Sequence, residues 1–264
     1  MLVQSLTALC ILLYIAAILF LNRRLSAPNT YTKRVWLSNI AAIVGHGVLI
    51  ALYLSQHGFE QLNFLSALTI IAWLLGLFSV SRGSQLASLM LRPAIFGFAT
   101  VSIALLQVLP SSQPVSGNMT VELAIHIVLS LLAFSLLTLA ALYAGQILYL
   151  NRVLKQRTAR VLDEHLPPLM AVEQYFFRLL SAGTLLLTLA LIAGMLFVDG
   201  MFAKEQLHKT ILSFTAWFCF GLITLLHYTR GLRGRPMVLL TLVASVLLTL
   251  GYFGSRIVRD ILLS

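Results

Sequence analysis

The chain has 264 residues, of which 59% are hydrophobic and only 10% charged, and its formal net charge is +10. Soluble domains carry about 25% charged residues, because a folded globule needs polar surface; a chain with mean hydropathy +0.95 is built to meet lipid. That excludes an ordinary soluble enzyme. It also removes the nucleic-acid binding that so basic a soluble chain would suggest.

About 20 apolar residues in a helix span the hydrocarbon core, and a helix satisfies its own backbone where lipid cannot. Eight such segments follow one another. The first runs from about Leu2 to Leu21, with Asn22-Arg23-Arg24 after it and no basic residue before it. A cleaved leader has the opposite order, so this segment reads as a retained helix that starts outside. A loop with Arg23, Arg24, Lys33 and Arg34 leads to segment two, about Trp36 to Leu54. Segment three, Leu62 to Val80, follows a link that lacks Lys and Arg. Arg82 and Arg92 then flank a short link to segment four, Pro93 to Leu109. A Pro, Ser, Gly and Asn-rich loop precedes segment five, Leu123 to Leu150. The polar stretch Arg152 to Pro168 follows, with four basic residues. Segment six is Phe176 to Val198, segment seven Thr210 to His227 and segment eight Met237 to Phe253.

Lys and Arg alternate across these segments. One side holds 14 of the 18, and the other holds Lys204, Lys209, Arg256 and Arg259. Basic loops stay in the cytoplasm, so the pattern predicts eight crossings with both chain ends outside. The predicted architecture is an all-α polytopic bundle forming a single transmembrane domain, residues 1–264. The basic loops are an orientation device that also meets anionic headgroups. Cys10 and Cys219 lie in apolar segments without a CxxC spacing, and read as small apolar filler.

Ionisable residues within lipid are functional candidates. His46 lies about 15 Å along its helix from Trp36, near mid-bilayer. His126 opens segment five and His227 closes segment seven. Imidazole suits Fe, Cu and Zn and is a common axial ligand of haem. Glu122, four residues before His126, shares its helix face and could orient a ligating ring from behind. The plainer alternative for each histidine is an interhelical hydrogen bond. His57 and His208 read as solvated, with a place as outer second ligands still open, and His165 as a residue of the basic loop. Gln107 and Gln146 read as packing polar groups. No chain of Asp or Glu crosses the interior, which counts against an ion-coupled pump. No P-loop, HExxH or GxSxG motif is present.

Four stretches carry a family resemblance: His126-Ile127-Val128-Leu129-Ser130 with its helix; Val172 to Arg178 with Ile192-Ala193-Gly194; Trp217 through His227 to the loop Gly231-Leu232-Arg233-Gly234-Arg235; and Leu250-Gly251-Tyr252-Phe253-Gly254. In this order they resemble the cytochrome c assembly family of membrane proteins, of the CcsA and HemX type, nearest its YpjD-like inner-membrane branch. The match covers residues 123–255 as a core, and residues 1–122 more loosely through His46. The resemblance implies a multi-pass protein of the bacterial inner membrane that handles haem b and is not itself an enzyme. It implies His46 and His227 as a buried ligand pair and His126 as an outer ligand or gate. Three positions depart from the family pattern. No tryptophan stands between Val198 and Lys209, where the haem-presenting segment belongs. No histidine stands in the tail from Arg256, and His227 falls two residues later than expected. A complete haem ligase is therefore not expected. A cofactor-free scaffold or regulator of haem synthesis of the HemX kind, contacting a membrane or cytoplasmic protein, is the alternative. A small-molecule transporter is the weaker one.

Overall fold

The computed structural model describes residues 2–26, 32–58, 62–108, 120–155, 166–198 and 206–254. His165, the side chain of His57, the stretch 199–205 and the tail from Ser255 lie outside the described residues. The described chain is helical without strands, and eight of its helices are long and apolar enough to cross a membrane, each with a mean hydropathy between 1.6 and 2.4. They are α1 (Leu2–Ser26), α2 (Thr32–His57), α3 (Phe64–Ser81), α4 (Leu86–Val108), α5 (Val121–Lys155), α6 (Leu169–Phe197), α7 (Leu207–Arg230) and α8 (Arg235–Thr249). A π-helical turn, Leu250–Gly254, extends α8.

Several helices overrun the apolar segments read from the sequence. α4 begins seven residues before Pro93, which lies inside it, and α6 begins directly after Pro168, seven residues before Phe176. Hydropathy marks only the part of a helix that lipid surrounds. The hydrogen-bonded spiral continues into the polar boundary until a breaker stops it, and Pro168 in extended backbone supplies that break for α6.

The chain divides into two compact units, residues 1–119 and 120–264. In the first, α1 packs on α2, α2 on α3 and α3 on α4, and α4 closes back on α1. Small residues bring the helices together. A Cβ on Gly76 would stand 2.6 Å from Ile43 Cδ1, and one on Gly47 would stand 3.2 Å from the Trp73 indole, whose Nε1 donates to the Ile43 carbonyl at 2.9 Å. Asn63 caps α3 reciprocally: its side chain accepts from the Ser66 N–H, and the Ser66 hydroxyl accepts from the Asn63 N–H, each at 2.9 Å. At the other end of α3 the buried Arg92 of α4 donates to the carbonyls of Ser79, at 2.9 Å, and of Gly83. A cation there also suits the negative end of the helix dipole.

In the second unit α5 packs on α6, α6 on α7 and α7 on α8, and α8 returns to α5. Small residues are buried on both helices of the α5–α6 pair: Ala133, Ala140 and Ala144 fully on α5, and Ala190 nearly so on α6. A Cβ on Gly183 would stand 2.8 Å from Leu137 Cγ and 3.3 Å from its backbone nitrogen. Without a hydrophobic force between helices in lipid, such close approach is what holds them. Large aliphatic side chains such as Leu12, Leu19, Leu185, Leu196 and Leu225 point outward instead. In water that surface would be a fault; in lipid it is the solvated face.

Candidate functional site

His46 lies in the middle of α2 and is fully buried in the first unit. Its Nδ1 is 2.8 Å from the hydroxyl of Tyr14 on α1, which is equally buried. The Tyr14 ring meets His46 edge-on at 5.6 Å and Phe96 of α4 at 5.1 Å. The glycines that flank His46 open this space: Gly45 backs onto Cys10 of α1 and Gly47 onto Trp73 of α3. The second ring nitrogen, Nε2, is buried with no hydrogen-bond partner. A buried polar atom left unpaired costs about 1–3 kcal/mol, so it calls for an explanation.

The first unit also holds a cavity of about 150 Å³. Leu49, Ile50 and Tyr53 line it from α2. These residues stand three, four and seven positions after His46, on the same helix face. Val3 reaches it from α1 and Gln107 from α4, where the Gln107 amide donates to Thr7 at 3.0 Å. Sites for whole cofactors run to about 300–1,000 Å³. This cavity takes a smaller group and is not lined by His46, so a macrocycle at that fully buried ring needs the helices to part.

His126 lies in the second turn of α5, half-buried. Its Nδ1 is 2.8 Å from the Ala190 carbonyl of α6. A carbonyl only accepts, so Nδ1 carries the ring proton and Nε2 keeps a lone pair. The orienting partner expected from the sequence was Glu122. Its carboxylate stands exposed on the first turn, and the ring turns instead into the small-residue seam, where Ala190 and Gly194 let the backbone come close.

His227 sits in the last turn of α7. Its Nδ1 donates to the Leu232 carbonyl at 3.1 Å, and its ring stacks on Phe177 of α6 with centroids 3.5 Å apart and planes 5° apart. Gly231, at φ 62°, reverses the chain so that its own N–H returns to the His227 carbonyl. The GLRGR loop and His227 thus end α7 as one motif. His208 is exposed on the first turn of α7. Among the described residues no three His, Cys, Asp or Glu side chains converge as a chelating cluster. The chemistry on offer is therefore that of single imidazoles placed by helices.

The family model described as cytochrome c assembly protein matches residues 1–263. The chain belongs to the cytochrome c assembly family. Among its relatives is the inner membrane protein YpjD of Escherichia coli (strain K12), 30% identical over 228 residues, which are 86% of each chain. Another is protein HemX of Brevibacillus brevis, 24% identical over 259 residues and 93% of each chain. No solved structure matches. The family match covers both the core stretch 123–255 and residues 1–122, where the resemblance was looser.

In this cytochrome c assembly protein the sequence reading located the three histidines but not what holds them. Tyr14 looks like core filler when read alone. Its signal is a polar stripe, Thr7, Cys10 and Tyr14, at helical spacing on an otherwise aliphatic α1. The Ala190 carbonyl is a backbone atom and leaves no residue signature. The donor set fits haem in kind: His126 and His227 are anchored through Nδ1 with Nε2 to spare, the usual arrangement behind a metal-ligating histidine, and His46 is held at Nδ1 with its buried Nε2 unpaired.

Proposed function

We propose that this protein binds or handles haem b in the bacterial inner membrane, as a non-enzymatic member of the cytochrome c assembly type. His46 and His227 are the ligand pair, and His126 is an outer ligand or gate. The observation that carries the reading is the common anchoring of the three rings. His126 and His227 give their Nδ1 protons to backbone carbonyls, and His46 holds a buried Nε2 that nothing in its unit uses. Bound haem would supply an iron that such nitrogens could ligate. The protein's part is to orient imidazoles, exclude water and shape access. Both chain ends lie outside in this reading, following the arginine-rich loops. The stretch from Val198 to Lys209 has no tryptophan, so the protein is not a complete haem ligase. It receives or holds haem rather than presenting it for attachment.

Absorbance of gently solubilised protein tests this. A Soret band typical of two imidazoles should weaken in His46→Ala and His227→Ala. A colourless protein that also takes up no added ferric haem would sink the proposal.

A second reading has its own support. His227 closes α7 and stacks on Phe177, as a packing residue would, and the relative over 93% of each chain is a HemX protein. In that reading the protein is a cofactor-free regulator or scaffold. Retention of the phenotype when His46, His126 and His227 are all replaced would favour it.

A further inference from the structure

His46 differs from the other two histidines in the nature of its partner. A carbonyl fixes the tautomer of the ring that bonds to it, whereas a phenol hydroxyl can donate or accept. If Tyr14 donates, Nδ1 accepts and the ring proton sits on Nε2, which then has no lone pair for a metal. If the ring donates, Nε2 is free to ligate, and the phenol proton loses its acceptor.

Without haem, each arrangement makes one hydrogen bond and leaves one donor and one acceptor unpaired. The phenol is the more acidic donor and the imidazole nitrogen the more basic acceptor, so the bond in which Tyr14 donates is the stronger one. That arrangement is the resting state. The Tyr14 ring has little freedom to leave. Phe96 of α4 packs on it edge-on at 5.1 Å, and a Cβ on Gly76 of α3 would lie 4.0 Å from its hydroxyl. The oxygen stays 2.8 Å from Nδ1, and only protons rearrange.

We propose that Tyr14 is a positioning residue that latches His46: its hydroxyl donates to Nδ1 while the site is empty, and accepts from Nδ1 when Nε2 takes a haem iron. The proposal rests on the haem reading above. The rearrangement balances: the ring exchanges an Nε2 proton for an Nδ1 proton, Tyr14 keeps its own proton and turns it away, and the pair gains or loses none. The empty site is held closed to metals, and the loaded site has the same oxygen behind the ring, orienting it and raising its basicity.

Tyr14→Phe tests this, since it keeps the ring that packs on Phe96 and removes only the hydroxyl. In haem-free protein labelled with ¹⁵N-histidine, the His46 signals are assigned by their loss in His46→Ala. Wild type should show a single neutral tautomer protonated at Nε2, with Nδ1 shifted by an accepted hydrogen bond, and Tyr14→Phe should lose that shift. A wild-type ring protonated at Nδ1, or signals unchanged in Tyr14→Phe, would overturn the latch without reference to haem. With added ferric haem, Tyr14→Phe should take it up about 5-fold faster at this site, the worth of the one hydrogen bond that holds the ring proton on Nε2. Its reduction potential should rise, because a less basic imidazole favours the ferric iron less. Uptake and potential both equal to wild type would also overturn the latch. Wild type that takes up no haem would overturn the underlying reading instead.

Discussion

Each four-helix unit encloses a histidine bonded through Nδ1 to a different helix, yet the partners are of different kinds. His46 in the first unit meets the hydroxyl of Tyr14, and His126 in the second meets the backbone carbonyl of Ala190. A backbone carbonyl in a helix is fixed in place and only accepts, so the second unit sets its imidazole once and for all. A hydroxyl leaves the choice of tautomer to whatever else enters. Surroundings differ in the same direction. His46 is fully buried among four helices, while His126 is half-buried near its helix start. In the haem reading proposed above, the first unit would therefore hold a guarded imidazole and the second a ready one.

The largest effect that separates the units concerns their scaffolds. Arg92 ties the α3–α4 hairpin of the first unit by donating to the Ser79 and Gly83 carbonyls. Arg92→Ala removes those charged bonds and leaves a void, at about 3 kcal/mol. Unfolding titrations in mixed detergent should show that loss. A native-like midpoint would mean that the hairpin does not depend on this cation.

The glycines sharpen the comparison next. Gly183→Ala places a Cβ against the branch point and backbone of Leu137, where nothing yields easily, and about 2 kcal/mol of overpacking strain should follow. Gly76→Ala meets only the tip of Ile43, which can turn aside, and should cost under about 1 kcal/mol. The same unfolding measurement ranks the two. The reverse order would show that the α5–α6 seam is looser than its geometry.

The histidines themselves come third. Nε2 of His126 already carries its lone pair, so imidazole-binding probes such as ferric haem should reach it without a lag. Uptake at His46 should be slow, since the helices must part and the ring must exchange its proton. Stopped-flow absorbance of His46→Ala against His126→Ala resolves the phases. Loss of the slow phase in His126→Ala, in place of His46→Ala, would reverse the assignment of guarded and ready sites.

Much of this fold was legible in the sequence, for a physical reason: lipid imposes length and hydropathy on every span, and eight helices of the required kind are present. The ends were less legible, because hydropathy stops at the headgroups while α4 and α6 begin seven residues earlier. At the site, imidazoles stand out against an aliphatic background, and His46, His126 and His227 were found as candidates. Their partners were not. Spacing on one helix pointed to Glu122 for His126, but the bond goes to a carbonyl 64 residues away, through a gap made by small side chains. Tyr14 lies 32 residues from His46, and contacts of that range are set by packing between helices rather than by any one helix.

The smallest predicted effect asks whether side-chain bonds between helices hold the second unit at all. Trp217 of α7 donates from Nε1 to the Thr188 hydroxyl of α6 at 2.8 Å, and Thr188 in turn donates to the Thr184 carbonyl. Trp217→Phe removes the donor with modest loss of ring volume. Interhelical bonds of this kind are worth about 0.6 kcal/mol in membranes, because the separated helices also find partners. A shift of that size in the unfolding midpoint would mean that α6 and α7 are held mainly by shape, as the stack of His227 on Phe177 suggests. A loss above about 2 kcal/mol would instead make the Trp217–Thr188–Thr184 chain the clasp of this helix pair, and would move the emphasis in the second unit from close packing to hydrogen bonding.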